Sequence, residues 1–127
     1  MEKVRVAVYC RVATRNQVDD SPLDMQSARL RRYAQSNGLE IVGEVRAYEK
    51  GLTMDRPGWN DVLKLAARER ADALLVTELG RVARDPLLVM DTLRSLSAVH
   101  LKVFSADLRM TTNIDLYKKI CAQSESA

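Results

Sequence analysis

The sequence predicts an α/β domain of three layers, a mostly parallel sheet of four to five strands with helices on both faces. Short β-branched or apolar runs alternate along the chain with longer segments of helical periodicity. One of those runs, Ala73-Leu74-Leu75-Val76-Thr77, is almost continuously apolar, as in a strand covered on both faces. Strands separated by helices pair in parallel through covering crossovers, which makes three layers.

The first strand is read from Val4, Val6 and Val8, which alternate with Arg5 and Ala7 and run through Tyr9 to Cys10 or Arg11. Ser21-Pro22-Leu23-Asp24 supplies an N-cap, a proline at the first helical position and an acid three residues after the cap. The helix continues through Leu23, Gln26, Leu30, Tyr33 and Ala34 and stops at Asn37-Gly38, where glycine suits the C-terminal cap. A second strand spans Leu39 to Val45, followed by a polar loop around Glu49-Lys50-Gly51. Asp55-Arg56-Pro57-Gly58 opens a helix with Trp59, Val62, Leu63 and Ala66 on one face. The apolar run at 73–77 is the third strand and the expected centre of the sheet. Asp85-Pro86 starts a helix carrying Leu88, Val89, Leu93 and Leu96, Leu101 to Phe104 forms the fourth strand, and Thr112-Asn113-Ile114-Asp115 opens a last helix.

The chain has 127 residues, enough for one domain over 1–127 with its own core. With 46% hydrophobic and 29% charged residues it groups with globular proteins rather than with disordered chains. No apolar run approaches the ~20 residues of a membrane span. The start, Met1-Glu2-Lys3-Val4-Arg5, carries no secretory signal, so a cytoplasmic location is expected. Cys10 and Cys121 form no CxxC and the only histidine is His100, which supports neither a zinc site nor a disulfide framework. No metal and no cofactor are expected. The net charge of +3 does not by itself mark a nucleic-acid binder. Basic residues gather at Arg29, Arg31 and Arg32 and at Lys64, Arg68 and Arg70, both read as solvated helix faces.

In open parallel sheets ligands meet the loops at the carboxyl ends of the strands, here residues 10–20 and 78–85. Both loops carry arginines: Arg11 in the first, Arg81 and Arg84 in the second, with Arg56 at a helix start between them. Guanidinium groups gathered in one crevice repel unless an anion neutralises them, and phosphate is the natural anion because it accepts bidentate hydrogen bonds. The alternative is that each pairs with a nearby acid, such as Asp55, Glu78 or Asp85. Trp59 and Phe104 are read as core anchors, and Cys10 as a small buried residue whose neighbour Arg11 could lower its pKa.

The segment Tyr9-Cys10-Arg11-Val12-Ala13-Thr14-Arg15-Asn16-Gln17 resembles the opening motif of the resolvase/invertase family of serine site-specific recombinases, in which a serine follows the valine. Leu23 and Gln26, Gly51 with Asp55-Arg56-Pro57-Gly58, and Glu78 to Asp85 resemble the family's next three elements, in the same order. The resemblance covers Val4 to about Phe104. It implies the family's resolvase-like catalytic fold and DNA as the partner. It also implies a dimer that becomes a tetramer, and metal-free strand exchange through a phosphoserine link. Arg11, Arg56, Arg81 and Arg84 would be catalytic around position 13, with Arg11, Gln17, Gln26, Arg81 and Arg84 on the substrate phosphate.

The departures are specific. Ala13 stands where the nucleophilic serine belongs, and it has no atom able to attack phosphorus. Thr14 is a conceivable substitute nucleophile, but it matches the family's own threonine, and neighbouring side chains generally point in different directions. Gly80 replaces an aspartate and Lys50 a serine. Relatives extend the last helix and add a DNA-binding domain, so the helix at about 113–127 is expected to be truncated and no DNA-binding domain is expected here. An impaired recombinase domain, a pseudoenzyme, is the first reading, and a non-catalytic module pairing with active subunits is the alternative.

Overall fold

The structure, a computed structural model, describes residues 3–13 and 21–125, with side chains described through Lys119. Its order is β1 (Arg5–Val12), α1 (Ser21–Asn37), β2 (Glu40–Tyr48), α2 (Pro57–Arg68), β3 (Ala73–Val76), a single 3-10 turn at Leu79–Arg81, α3 (Pro86–Ala98), β4 (Lys102–Ser105) and α4 (Met110–Glu125). The strands form one four-stranded sheet in the order β2-β1-β3-β4, and every pairing is parallel. The centre is therefore the pair β1 and β3 rather than β3 alone.

From β1 the chain first crosses outward to β2, then returns past β1 to β3 and continues to β4. Right-handed crossovers run in opposite directions from β1 place their helices on opposite faces. Val6, Val8, Cys10, Ala73 and Leu75 accordingly pack with Leu23, Leu30 and Ala34 of α1. The alternate residues Ala7, Tyr9, Leu74 and Val76 pack with Trp59, Val62 and Ala66 of α2 and Val89 and Leu93 of α3. The reversal of direction opens a crevice between the carboxyl ends of β1 and β3.

Some boundaries differ from the sequence expectation. β2 runs to Tyr48 because β1 continues to Val12; after one register shift between Val6 and Ala7 the two strands stay paired to Val12 and Tyr48. The last helix opens at Met110, not Thr112. Asn113, which looked like part of a cap, sits inside the helix: its Oδ1 accepts from Ser105 N and its Nδ2 donates to Ser105 O, both at 3.1 Å. Tyr117 Oη likewise accepts from Val103 N. Together these side chains satisfy the outer edge of β4, which would otherwise expose unpaired backbone.

The three central helices end alike. Leu39 N donates to Ala34 O, Ala71 N to Ala66 O and Leu101 N to Leu96 O, each across a left-handed residue. In α1 that residue is Gly38, as the sequence suggested, but in α2 and α3 it is Arg70 (φ 52°) and His100 (φ 63°). A Cβ in this region costs about 1–2 kcal/mol. Arg70→Gly and His100→Gly are each expected to stabilise the fold by about 0.5–1 kcal/mol after the added freedom of the unfolded chain is counted. The check is the urea midpoint, and no rise in either variant would show that these residues are held by contacts outside the cap.

Candidate functional site

The carboxyl end of β1 is fixed from α1. Gln26 Oε1 accepts from Arg11 N at 3.1 Å and Gln26 Nε2 donates to Arg11 O at 3.0 Å, so a side-chain amide extends the sheet like a short strand. Ala13 follows, exposed, two residues beyond this clamp. Thr14 and Gln17 lie outside the described residues.

Arg11 is buried, and its guanidinium donates to three backbone carbonyls: Nε to Arg81 at 2.8 Å, Nη2 to Gly80 at 2.8 Å and Nη1 to Glu49 at 2.9 Å. One side chain thereby ties the end of β1 to the turn after β3 and to the loop after β2. Burial first, then the neighbouring Arg56 and Arg81, hold its pKa below the usual arginine value. A methyl group at Gly51 would come within 2.9 Å of Arg11 Nη2, so the glycine of the third motif makes room for this guanidinium. Gly51 O also accepts from Arg84 N at 2.9 Å, joining the two loops.

Arg56, also buried, donates to Val82 O at 2.8 Å, Thr53 O at 3.0 Å and Tyr9 Oη at 3.1 Å, and lies over the Tyr9 and Trp59 rings. Its acid is Glu49, 3.4 Å from Nε, and not the adjacent Asp55. The same carboxylate accepts from Tyr9 Oη at 2.6 Å and from Gly58 N and Trp59 N at 2.8 and 2.9 Å. It thus caps the amino end of α2, where Arg56 at the N-cap position makes no side-chain cap bond. A methyl group at Gly58 would meet Ala47 Cβ at 2.5 Å and the Glu49 carboxylate at 2.9 Å, which accounts for the glycine after Pro57.

Arg81 and Arg84 differ from that pair. Arg81 is half-buried, donates from Nη1 to Arg11 O at 3.1 Å and pairs through Nε with Glu78 at 2.8 Å. Arg84 is exposed, and its side chain has no partner among the described residues. The remaining acid weighed as an arginine partner, Asp85, instead caps α3 by accepting from Leu87 N at 2.9 Å.

The motif arginines thus differ in how far the protein occupies them: Arg11 and Arg56 are buried and bonded to protein acceptors, Arg81 is half-buried and held by Arg11 O and Glu78, and Arg84 is exposed. Glu49 was missed by sequence reasoning because its partners lie nine and ten residues on or across the sheet, beyond any local capping pattern. Among the described residues no cluster of His, Cys, Asp and Glu could hold a metal ion, and no helix is long and apolar enough to cross a membrane.

The neighbouring thiol does not follow its charged neighbour Arg11. Burial, and after it Glu44, pushes the Cys10 pKa up to about 12. Burial also pushes Tyr117 up to about 12 and raises Tyr9 further. In each case the folded chain holds the proton more tightly than the unfolded chain does. The stability from these groups is fully present below their ordinary values of 9.0 and 10.0 and is lost as pH rises toward 12. The urea midpoint should fall steadily above about pH 9, and Cys10→Ala should remove the earliest part of that fall. A flat midpoint to pH 11 would contradict the burial argument.

Comparison with known proteins places the fold. The family described as Resolvase, N terminal domain, matches residues 6–123. The N-terminal catalytic domain of TP901-1 integrase is similar at TM-score 0.74 and 22% identity, over 95% of this chain and 94% of that one. A resolvase family site-specific recombinase from Streptococcus pneumoniae gives TM-score 0.73 and 24% identity, over 97% and 87%. The C-terminal catalytic domain of IS1535 TnpA, an IS607-like serine recombinase, gives TM-score 0.62 and 29% identity, over 80% and 70%.

Proposed function

Because this chain belongs to the family of the resolvase N-terminal domain, we propose that it is a cytoplasmic serine-recombinase catalytic domain that engages DNA but lacks the covalent step. The observation that carries this reading is Ala13, exposed just past the end of β1 and two residues after the Arg11 carbonyl that Arg81 contacts, at the position that matches the family's serine. A methyl group cannot attack a phosphodiester, so no protein–DNA link forms at this position.

The roles proposed for the arginines follow their surroundings. Arg81 and Arg84 take the backbone phosphate, joined by Gln17. Arg11, Arg56 and Gln26 position the loops that present them, because their polar atoms are already committed to the protein. Arg11 and Gln26 reach the phosphate only if those bonds exchange when DNA binds. Pairing with further copies or with active recombinase subunits fits a family whose chemistry is shared between subunits.

Binding of duplex DNA, followed by fluorescence anisotropy at increasing salt, tests this function. The logarithm of affinity should fall linearly with the logarithm of salt, by about 0.9 for each phosphate neutralised. Arg84→Gln should weaken binding to all sequences alike and reduce the slope by about one. An affinity unchanged between low and moderate salt would contradict the proposal.

A further inference from the structure

The crevice between the ends of β1 and β3 continues over α1 as a cleft of about 440 Å³, lined by Met25, Arg29, Arg32, Thr77, Glu78 and Arg81 among others. Met25, Arg29 and Arg32 are spaced four and three residues apart, so they share one face of α1. Thr77 and Arg81 come from the opposite wall, just beyond β3. Three guanidinium groups therefore border one cleft with a single carboxylate, Glu78, already paired to Arg81. Arg29 and Arg32 have no partner among the described residues.

Thr77 supplies an independent observation. The residue is only 3% exposed, and its Oγ1 has no hydrogen-bond partner among the described residues. By strand alternation it follows Ala73 and Leu75, which pack on the α1 side, so its side chain falls on the cleft side of the sheet. A buried hydroxyl without a partner is costly unless a ligand completes it. Cations without counter-ions around an unsatisfied hydroxyl, at the direction reversal of a parallel sheet, describe an anion site.

We propose that this cleft is a second phosphate subsite, in which Arg29, Arg32 and the Thr77 hydroxyl hold a nucleic-acid backbone phosphate next to the one at Arg81 and Arg84. The assignment rests on the DNA-binding reading above. Free phosphate offers the same chemistry, so the experiment has two arms on the full chain.

The first arm titrates inorganic phosphate and follows the arginine Nε–H and Thr77 amide signals by NMR. Saturable shifts at Arg29, Arg32 and Thr77, abolished in Arg29→Gln/Arg32→Gln, are expected; no shift there overturns the subsite. Thr77→Val, which keeps the shape, should retain the melting temperature while phosphate affinity drops by roughly two- to tenfold, the worth of one hydrogen bond. The second arm measures duplex binding, where Arg29→Gln/Arg32→Gln should lower affinity about tenfold at low salt and reduce the salt slope by about one. If that double variant binds as the wild type while Arg84→Gln does not, the cleft proposal fails and the DNA-binding function stands. If the wild type binds no duplex at any salt, the functional reading fails, and with it the nucleic-acid occupant of the cleft.

Discussion

Glu49→Ala is expected to destabilise the folded chain by about 3–5 kcal/mol, the range for removing one partner of a buried ion pair. Arg56, 3% exposed, would keep its charge and lose its only carboxylate among the described residues. The first backbone N–H groups of α2, at Gly58 and Trp59, would lose their acceptor, an effect of about 1 kcal/mol in helix caps. Tyr9 would lose the acceptor of its hydroxyl proton. These losses share one carboxylate, so they do not add independently. The distinguishing result is the pair: Glu49→Ala with Arg56→Met should be less destabilised than Glu49→Ala alone, because no unpaired charge is left inside. Urea midpoints at constant slope read both. A Glu49→Ala chain within about 1 kcal/mol of the wild type would mean that solvent already reaches Arg56.

Ala13→Ser should take covalent attachment to DNA from undetectable to detectable. The backbone leading to position 13 is fixed: Gln26 grips the N–H and the carbonyl of Arg11, and Arg81 donates to the same carbonyl. A hydroxyl placed there starts near the groups that would hold the phosphate, and such proximity supplies much of the rate of an intramolecular attack. The second departure is also repairable. A Cβ at Gly80 meets nothing within 4 Å among the described residues, so a side chain can start there without a clash, and the backbone carbonyl that Arg11 uses remains. Ala13→Ser with Gly80→Asp should therefore yield more adduct than Ala13→Ser alone.

Much of the fold was legible because its signals are local. Pro57 and Pro86 each stand at the start of a helix, and the alternation of β1 and the apolar run at 73–76 mark strands whose faces are both covered. Gly38 ends α1 as its type suggests, whereas Arg70 and His100 occupy equivalent positions that no residue preference would select. The motif positions were legible too, but their division of labour was not. Whether an arginine meets a phosphate or a protein carbonyl depends on partners up to 70 residues away, as with Arg11 and Arg81. Glu49, Thr77 and the cleft face of α1 depend on which elements pack together, and periodicity marks Arg29 and Arg32 only as an exposed helix face.

The central claim, a prepared recombinase site missing its nucleophilic atom, is tested most directly by covalent trapping. The chain is fused to the DNA-binding domain of an active relative and incubated with that relative's nicked target DNA, and products are resolved on a denaturing gel. The account predicts no adduct with Ala13, an adduct with Ala13→Ser, and loss of that adduct when Arg81→Gln is added. An adduct with Ala13 intact, or none after Ala13→Ser and Gly80→Asp together, would contradict it.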